Sequence, residues 1–178
     1  MQVVDKIISN FINNKSLYIG EKVTMSEHMI QTAMLAEKAK CGDDLICSSL
    51  LHDYGHFILE NPDDLVKLNV DGQHENIGYE YLKSFFKKEI LEPIKNHVLA
   101  KRYLANDKKY FDLLSEASKT SLKLQGGALN PEECNKFEAQ EYFKPSILLR
   151  KFDEAAKRTD LKMKSIHDYK KLLTYKLI

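Results

Sequence analysis

The chain has 178 residues, of which 43% are hydrophobic and 30% charged, the balance of a globular protein with one domain. Its formal net charge is +1, which does not indicate a nucleic-acid or acidic-membrane partner. Three cysteines without a CxxC pair argue against a disulfide framework and a zinc ribbon, and no apolar run approaches the ~20 residues of a transmembrane helix. We therefore expect a cytoplasmic protein that binds neither nucleic acid nor membrane, with its oligomeric state left open.

Helical periodicity dominates the sequence from its N-terminus onward. Val3 to Ile12 predicts an amphipathic helix, residues 13–23 indicate a loop, and Thr24 with Glu27 forms a capping box that begins a helix to about Lys40. Further helices are predicted over Asp43–Asp53, about 74–87, about 92–105, 107–124 with a break, from Pro131, from Pro145 to about Thr159, and after Ser165. Turn residues indicate a loop over 57–73. Without alternating strand segments or repeats, the sequence predicts an all-α protein, one compact helical bundle over residues 1–178.

The placement of the histidines is the first functional signal. The six histidines are His28, His52, His56, His74, His97 and His167. A single histidine in a helical protein is usually an exposed residue or a satisfied core residue. Four residues of ligand type instead fall on helical faces that are otherwise apolar: His28, His74, His97 and Asp153. Several imidazoles and carboxylates in one small core cannot be satisfied pairwise at low cost, so the pattern favours a cation that they share as ligands.

The dipeptide His52-Asp53 is the sharpest local element, and His56 follows it closely. Adjacent helical residues point about 100° apart, so both could reach metal only at a dinuclear centre or around one ion at the helix end. A carboxylate that bridges two metals, with an imidazole on one of them, fits this spacing. The dipeptide alone is a weak signal, but its combination with the other histidines and Asp153 is a strong one.

This pattern resembles the HD-domain superfamily, in which a His, a His-Asp pair, further His residues and a distal Asp lie on a helical bundle. More specific segments resemble the mixed-valent di-iron oxygenases that cleave organophosphonates. These segments are Tyr18-Ile19-Gly20-Glu21, His52-Asp53-Tyr54-Gly55-His56, HVLAKRYL at 97–104, SKTSLKLQGG at 118–127 and Arg150-Lys151-Phe152-Asp153. The resemblance covers about residues 18–158. The predicted C-terminal helix over 165–178, which contains His167, is unmatched.

The resemblance implies a set of site residues. The ligands of two iron ions, an Fe(II)/Fe(III) pair, would be His28, His52, Asp53, His74, His97 and Asp153, with Asp53 bridging. The phosphonate oxygens would be held by His56, Lys101, Ser118, Ser121 and Arg150. Tyr18 would close the empty site, and Glu21 would meet the amino end of the substrate. The residues expected to take part in catalysis are therefore Tyr18, Glu21 and His56.

The implied activity is the oxidative cleavage of the C–P bond of a small α-hydroxyphosphonate, with O₂ as cosubstrate and phosphate and a carboxylic acid as products. The residue types suit this chemistry, because four imidazoles and two carboxylates without a thiolate favour iron, manganese or zinc. Lys101 and Arg150 are natural partners of a phosphonate, and serine hydroxyls add hydrogen bonds. The carboxylate of Glu21 suggests a cationic substituent on the substrate.

Two other functions remain open at this point. A metal-dependent phosphohydrolase acting on a nucleotide or another phosphomonoester could use the same ligands, although His56 and the Tyr18–Glu21 segment favour the oxygenase. A non-catalytic HD module could serve binding or regulation, but no proposed ligand is missing. Plainer interpretations also remain for single residues. They are surface charge for Lys101 and Arg150, helix capping for Ser118 and Ser121, and core packing for Tyr18.

Overall fold

Helices supply the regular structure of the chain, which a computed structural model describes for residues 2–18, 20–58 and 72–178. They are α1 (Val3–Asn13), α2 (Met25–Lys38), α3 (Asp43–Leu51), α4 (His74–Leu82), α5 (Lys88–Leu104), α6 (Lys108–Leu113), α7 (Glu116–Leu124), α8 (Pro131–Glu138), α9 (Phe143–Ala155) and α10 (Lys170–Tyr175), with 3₁₀ turns at Tyr54–Phe57 and Ile166–Tyr169. Over these ranges, strand-like pairing is limited to isolated bridges. The all-α prediction is confirmed. Most of the loop predicted over 57–73 lies outside the described residues, as does Ile19.

The predicted helix starts follow from capping. The backbone N–H of Glu27 donates to Thr24 Oγ1 at 3.1 Å, and Glu27 Oε2 accepts from the backbone N–H of Thr24 at 2.7 Å. Asn130 and Glu133 form the same reciprocal pair at the start of α8. Each box satisfies two backbone donors that the first helical turn leaves open, an effect worth about 1 kcal/mol for the capping side chain.

Several helix boundaries differ from the prediction, and long-range pairing explains the clearest case. α4 ends at Leu82 rather than near residue 87, because Phe86 forms a bridge with Leu177 and Phe85 O accepts a hydrogen bond from the N–H of Ile178 at 3.1 Å. α5 begins at Lys88 instead of about 92, with Pro93 inside the helix, where its ring removes one backbone hydrogen bond. α3 ends at Leu51, and the chain turns through the 3₁₀ segment that follows it.

The bundle that carries the site consists of α2, α3, α4, α5 and α9. α9 packs on α5 and α2, α2 packs on α3, and α5 contacts both α3 and α4. Fully buried Met29, Leu50 and Ile94 belong to the main apolar cluster. Burial of such side chains stabilises the fold by about 1.5–3 kcal/mol each. None of the helices in the described part of the chain has the length and apolar character needed to cross a bilayer.

A glycine contact sets the distance between the 3₁₀ turn and α4. A Cβ atom on Gly55 would lie 1.9 Å from the carbonyl oxygen of His74, and one on Gly78 would lie 3.1 Å from the backbone nitrogen of Gly55. The two backbones therefore meet without a side chain between them. This close approach brings the start of α4, and with it His74, next to Asp53.

Candidate metal centre

Five elements of the bundle each contribute ligand-type side chains to one buried space. The contributions are His28 from α2, His52 and Asp53 from the end of α3, His74 from the first residue of α4, His97 from α5 and Asp153 from α9. All six are buried except His74, whose side chain is 12% exposed. The structure thus brings together the complete set of ligands implied by the sequence.

The six side chains form two groups that Asp53 joins. His28, His52 and Asp153 form one group and Asp53, His74 and His97 the other, with the ligand atoms of each group within 4.8 Å of one another. Asp53 Oδ2 lies 3.5 Å from His28 Nε2 and 3.4 Å from His52 Nε2. Its other oxygen, Oδ1, lies 3.2 Å from His74 Nε2 and 3.4 Å from His97 Nε2. One carboxylate therefore faces both groups, which is the arrangement of a bridging ligand.

Backbone carbonyls fix three of the four imidazoles. The Nδ1 atoms of His28, His52 and His97 lie 2.9, 2.9 and 2.6 Å from the carbonyl oxygens of Ala156, Ser49 and Ile94. A carbonyl can only accept a hydrogen bond, so each of these Nδ1 atoms carries a proton. The neutral tautomer then leaves a lone pair on Nε2, the form in which histidine binds metal. His74 differs, because its Nδ1 lies 3.6 Å from the carboxylate of Glu75.

The distances between facing Nε2 atoms show whether the site suits a metal ion. His28 Nε2 lies 3.2 Å from His52 Nε2, and His74 Nε2 lies 3.0 Å from His97 Nε2. Two lone pairs at this distance repel, so each pair needs a proton or a metal ion between its nitrogens. Asp153 Oδ1 is also buried without a hydrogen bond among the described residues. Nitrogen and oxygen donors without sulfur suit iron, manganese or zinc, so the donor set fits two such ions.

The shifted pKa values of His28 and Asp53 also indicate that positive charge is favoured in this space. Burial lowers the pKa of His28, but its contacts with Asp153 and Asp53 outweigh burial and raise that pKa to about 9. Burial also disfavours ionised Asp53, yet the neighbouring histidines hold the pKa of Asp53 well below its usual range. Without metal, protons supply the charge. Ions of higher charge would displace those protons on binding.

Next to the metal centre lies a group of polar side chains around α7, here called the α7 polar cluster. Its members are Lys101, Ser118, Ser121, Gln125, Arg150, Glu154 and Lys157. Lys101 and Arg150 are only 4% and 3% exposed, so the surface-charge interpretation is wrong for both. The helix-capping interpretation is also wrong for Ser118, because the cap of α7 is Ser115 and the backbone N–H of Ser118 donates to it.

Lys101 occupies one end of the α7 polar cluster. Its Nζ donates to Ser121 Oγ at 2.6 Å and to Gln125 Oε1 at 3.0 Å. Burial, followed by the charge of Arg150, lowers the pKa of Lys101 to about 7. A buried ammonium held only by neutral oxygens remains available to an anion.

Arg150 connects the α7 polar cluster to the metal centre. Its guanidinium donates through Nη1 to Asp153 Oδ2 and through Nη2 to Glu154 Oε2. The remaining Nε–H donates to the hydroxyl of Tyr110 at 2.8 Å. Burial disfavours ionised Asp153, but Arg150 and the histidines hold the pKa of this carboxyl well below its usual range. The same guanidinium therefore fixes a candidate ligand and is joined to the α7 polar cluster through Glu154.

Tyr18 and His56 flank the candidate ligands by ring stacking. The Tyr18 ring lies parallel to His28, with centroids 4.0 Å apart and an interplanar angle of 8°. Burial and the charges of Asp153 and Asp53 raise the pKa of the Tyr18 phenol well above its ordinary value. His56 stacks on His74 at 4.2 Å, and burial lowers the pKa of His56 to about 3. Its buried Nδ1 makes no hydrogen bond within the described part of the chain.

Glu21 lies next to Lys157 of the α7 polar cluster. Lys157 Nζ lies 3.3 Å from Glu21 Oε1, so the carboxylate expected to meet a substrate amine already faces a cation of the protein. His167, for which the resemblance implies no role, is exposed on the second 3₁₀ turn.

Sequence reasoning missed four residues of this neighbourhood: Tyr110, Gln125, Glu154 and Lys157. Gln125 lies in the 118–127 segment, but the resemblance implies no role for it. Glu154 and Lys157 follow Asp153 by one and four residues. Helical spacing does not place Lys157 beside Asp153, because α9 ends at Ala155.

Comparison with known proteins places these residues in a family. The HD domain family matches residues 25–139. The chain is 46% identical over 145 residues to [1-hydroxy-2-(trimethylamino)ethyl]phosphonate dioxygenase (glycine-betaine-forming) of Leisingera caerulea, a match that covers 81% of this chain and 74% of the relative. It is 40% identical over 154 residues to hydroxymethylphosphonate dioxygenase of Gimesia maris, with 85% and 77% covered. The chain therefore belongs to the family of HD-domain phosphonate dioxygenases.

Proposed function

We propose that the protein cleaves the C–P bond of a small α-hydroxyphosphonate with O₂, at a centre that holds two iron ions. The observation that carries this proposal is the position of Asp53, whose two oxygens face two groups of ligands beside a buried cationic cluster. The overall reaction balances without an external reductant. One hydroxyphosphonate and one O₂ give one carboxylate, one phosphate and one proton.

The two irons would be held by His28, His52 and Asp153 on one side and by His74 and His97 on the other, with Asp53 shared. When bound, they supply the redox chemistry by which O₂ reacts with the carbon that bears phosphorus. The protein's own contribution is to bind the substrate, orient that carbon and exclude water.

The charge of the α7 polar cluster suits a phosphonate. Arg150 and Lys157 face carboxylates of the protein, whereas the hydrogen bonds of Lys101 go to the neutral oxygens of Ser121 and Gln125. A phosphonate anion can pair with the charge of Lys101 and offers three oxygens for hydrogen bonds. Because Arg150 also holds Asp153, a phosphonate bound to this guanidinium would lie close to a candidate metal ligand.

His56 and Tyr18 are assigned supporting roles at the same site. At neutral pH His56 is uncharged, since its pKa is about 3, so it offers one N–H donor to a phosphonate oxygen. Tyr18 covers His28 with its ring and so excludes water from that group of ligands. Its phenol stays protonated, because its pKa is raised well above the ordinary value. A substrate that reaches the His28 side must displace this ring.

The test is phosphate release from hydroxymethylphosphonate by the iron-loaded protein in air and under argon. We expect about one phosphate per O₂ consumed in air and essentially none under argon, because the oxidant is absent there. His167→Ala serves as a matched histidine control and should retain full activity, since His167 is exposed and outside the site.

Hydrolysis is the competing function, and it does not consume O₂. Equal phosphate release in both atmospheres, or turnover of a phosphomonoester without O₂, would contradict the oxygenase and favour a phosphohydrolase. The named relatives are dioxygenases, so the comparisons do not favour this alternative.

A further inference from the structure

Lys157 is the one cation of the α7 polar cluster to which the proposed reaction assigns no individual contact. It lies two residues after the end of α9, and its side chain is only 12% exposed. Its Nζ donates to Glu154 Oε1 at 2.7 Å, to Ser118 Oγ at 3.0 Å and to Ser115 Oγ at 3.3 Å. An ammonium has three N–H donors, so these three acceptors account for all of them.

Glu21 therefore receives the charge of Lys157 without a hydrogen bond from it. Nζ lies 3.3 Å from Glu21 Oε1, yet that buried oxygen accepts no hydrogen bond from the described residues. The Glu21 side chain is 15% exposed, so water screens the pair only in part. The negative charge of Glu21 is therefore offset before any substrate arrives by Lys157, a cation that Glu21 shares with Glu154.

The position of Glu21 is fixed by its neighbours. The N–H of Glu21 donates to the carbonyl of Tyr18 at 2.8 Å. Gly20 has φ +74°, and a Cβ on it would lie 2.6 Å from Ala117 Cβ, so this turn packs tightly on α7. These contacts hold the backbone of Glu21 beside α7 and so keep its side chain within reach of Lys157.

We infer that Lys157 is a specificity-determining residue, which neutralises Glu21 and thereby sets how strongly the site favours a substrate with a cationic substituent. The inference rests on the proposed function. A quaternary ammonium has no N–H and offers Glu21 only its charge, which Lys157 already supplies. It also meets the positive charge of Lys157 itself. Lys157 should therefore weaken the binding of a substrate with a trimethylammonium substituent. It should not have this effect on a substrate without a cation.

The experiment compares two ligands of the iron-loaded protein under argon, where binding occurs without turnover. The ligands are [1-hydroxy-2-(trimethylamino)ethyl]phosphonate and hydroxymethylphosphonate, and calorimetric titration gives both Kd values. In Lys157→Met, the preference for the trimethylammonium ligand, expressed as the ratio of the two Kd values, should rise about tenfold, equivalent to about 1.4 kcal/mol. The ratio removes any loss of phosphonate binding that both ligands share.

Three further variants make the result specific. Lys157→Arg keeps the charge and should leave the ratio within about twofold of the wild type. Glu21→Gln removes a negative charge and leaves the charge of Lys157 in place, so the trimethylammonium ligand should weaken about tenfold relative to hydroxymethylphosphonate. This variant tests the inference even if Lys157→Met does not fold. Lys164→Met removes an exposed lysine paired with Glu37 and should not change the ratio.

The outcomes separate this inference from the proposed function. An unchanged ratio in Lys157→Met, or in Glu21→Gln where Lys157→Met does not fold, would overturn the role of Lys157 while the wild type still releases phosphate in air. Failure of the wild type to bind either ligand and to release phosphate would overturn both proposals together.

Discussion

The metal centre and the α7 polar cluster are neighbours, but they differ in how their polar groups are satisfied. In the metal centre, imidazole nitrogens face each other at 3.0 and 3.2 Å, and the four imidazoles share the two carboxylates of Asp53 and Asp153. In the α7 polar cluster, each cation already has a partner, such as Glu154 for Arg150 and Lys157. The first region requires ions from outside, whereas the second is complete and must exchange partners when a substrate binds. Removal of a residue should therefore abolish function in the first region and tune it in the second.

The largest effect is expected for Asp53→Ala. It removes the carboxylate that faces both groups of ligands, so both irons should be lost. Mutating a residue that only hydrogen-bonds to a ligand lowers activity by up to about a hundredfold, so loss of Asp53 itself should lower activity by more than that. Iron analysis and phosphate release measure the two effects. Retention of the full iron content would contradict the bridging role. His167→Ala provides the control for folding and metal loading.

Lys101→Met should have the next largest effect. Loss of one buried, charge-assisted contact to the phosphonate corresponds to about 2–3 kcal/mol, or a rise in KM of about 30- to 150-fold. Iron content should not change, because the hydrogen bonds of Lys101 go to Ser121 and Gln125, which are not candidate ligands. Steady-state kinetics and iron analysis check both statements. Lys95→Met, on the exposed face of the same helix, is the matched control. Iron loss in Lys101→Met would make the lysine part of the metal centre instead.

A pH profile should show a smaller effect of the same residue. Burial lowers the pKa of Lys101 to about 7, so the protonated form that attracts the phosphonate declines as the pH rises through 7. We expect kcat/KM of the wild type to fall about tenfold per pH unit above that value, relative to Lys101→Met. The ratio of the two profiles cancels the titration of the substrate. A ratio that is constant between pH 6 and 9 would contradict the assignment.

Stability should respond to the same titration in a defined direction. The folded-state pKa of Lys101 lies below its unfolded value, so the unfolded chain binds more protons between about pH 7 and 10.5. The buried charge destabilises the fold most below pH 7, and the cost declines as the pH rises toward 10.5. Lys101→Met should thus raise Tm more at pH 6 than at pH 9. An increase that is equal at both values would argue against the lowered pKa.

The smallest effect is expected for Tyr110→Phe. This change removes the hydroxyl that accepts the Nε–H of Arg150 at 2.8 Å and leaves a buried donor unpaired. A lost hydrogen bond of this kind is worth about 1 kcal/mol, so KM should rise about fivefold with unchanged iron content. Tyr103→Phe is the control, because its hydroxyl bonds to exposed Glu138 outside the site. Equal changes in both variants would make the effect unspecific.

Helix type and most helix starts could be predicted because they depend on local signals. The capping boxes at Thr24 and Asn130 are readable from four consecutive residues. The end of α4 was not predictable, since it depends on pairing of Phe86 with Leu177, more than ninety residues away by the sequence numbering. Local patterns carry no information about such contacts, and C-terminal pairing overrode helical propensity there.

The candidate ligands could be named because histidines on apolar helical faces are unusual, and resemblance supplied their roles. Lys157 and Glu154 gave no such signal, since charged residues near a helix end are common on protein surfaces. Their importance follows from the packing of α7 against the end of α9, which buries them. The partner of Glu21 could therefore be identified only from the fold.

The carbonyl contacts of the imidazoles have a consequence for protein engineering. His28, His52 and His97 are oriented by backbone oxygens, which no side-chain substitution can delete. A directed search for a different metal preference would therefore gain little from mutating residues around these rings. It would need to reshape helix ends, above all the residues around Ala156, whose carbonyl orients His28. The contacts of Lys101, Arg150 and Lys157 in the α7 polar cluster are by contrast made between side chains, so we expect single substitutions there to change the substrate range.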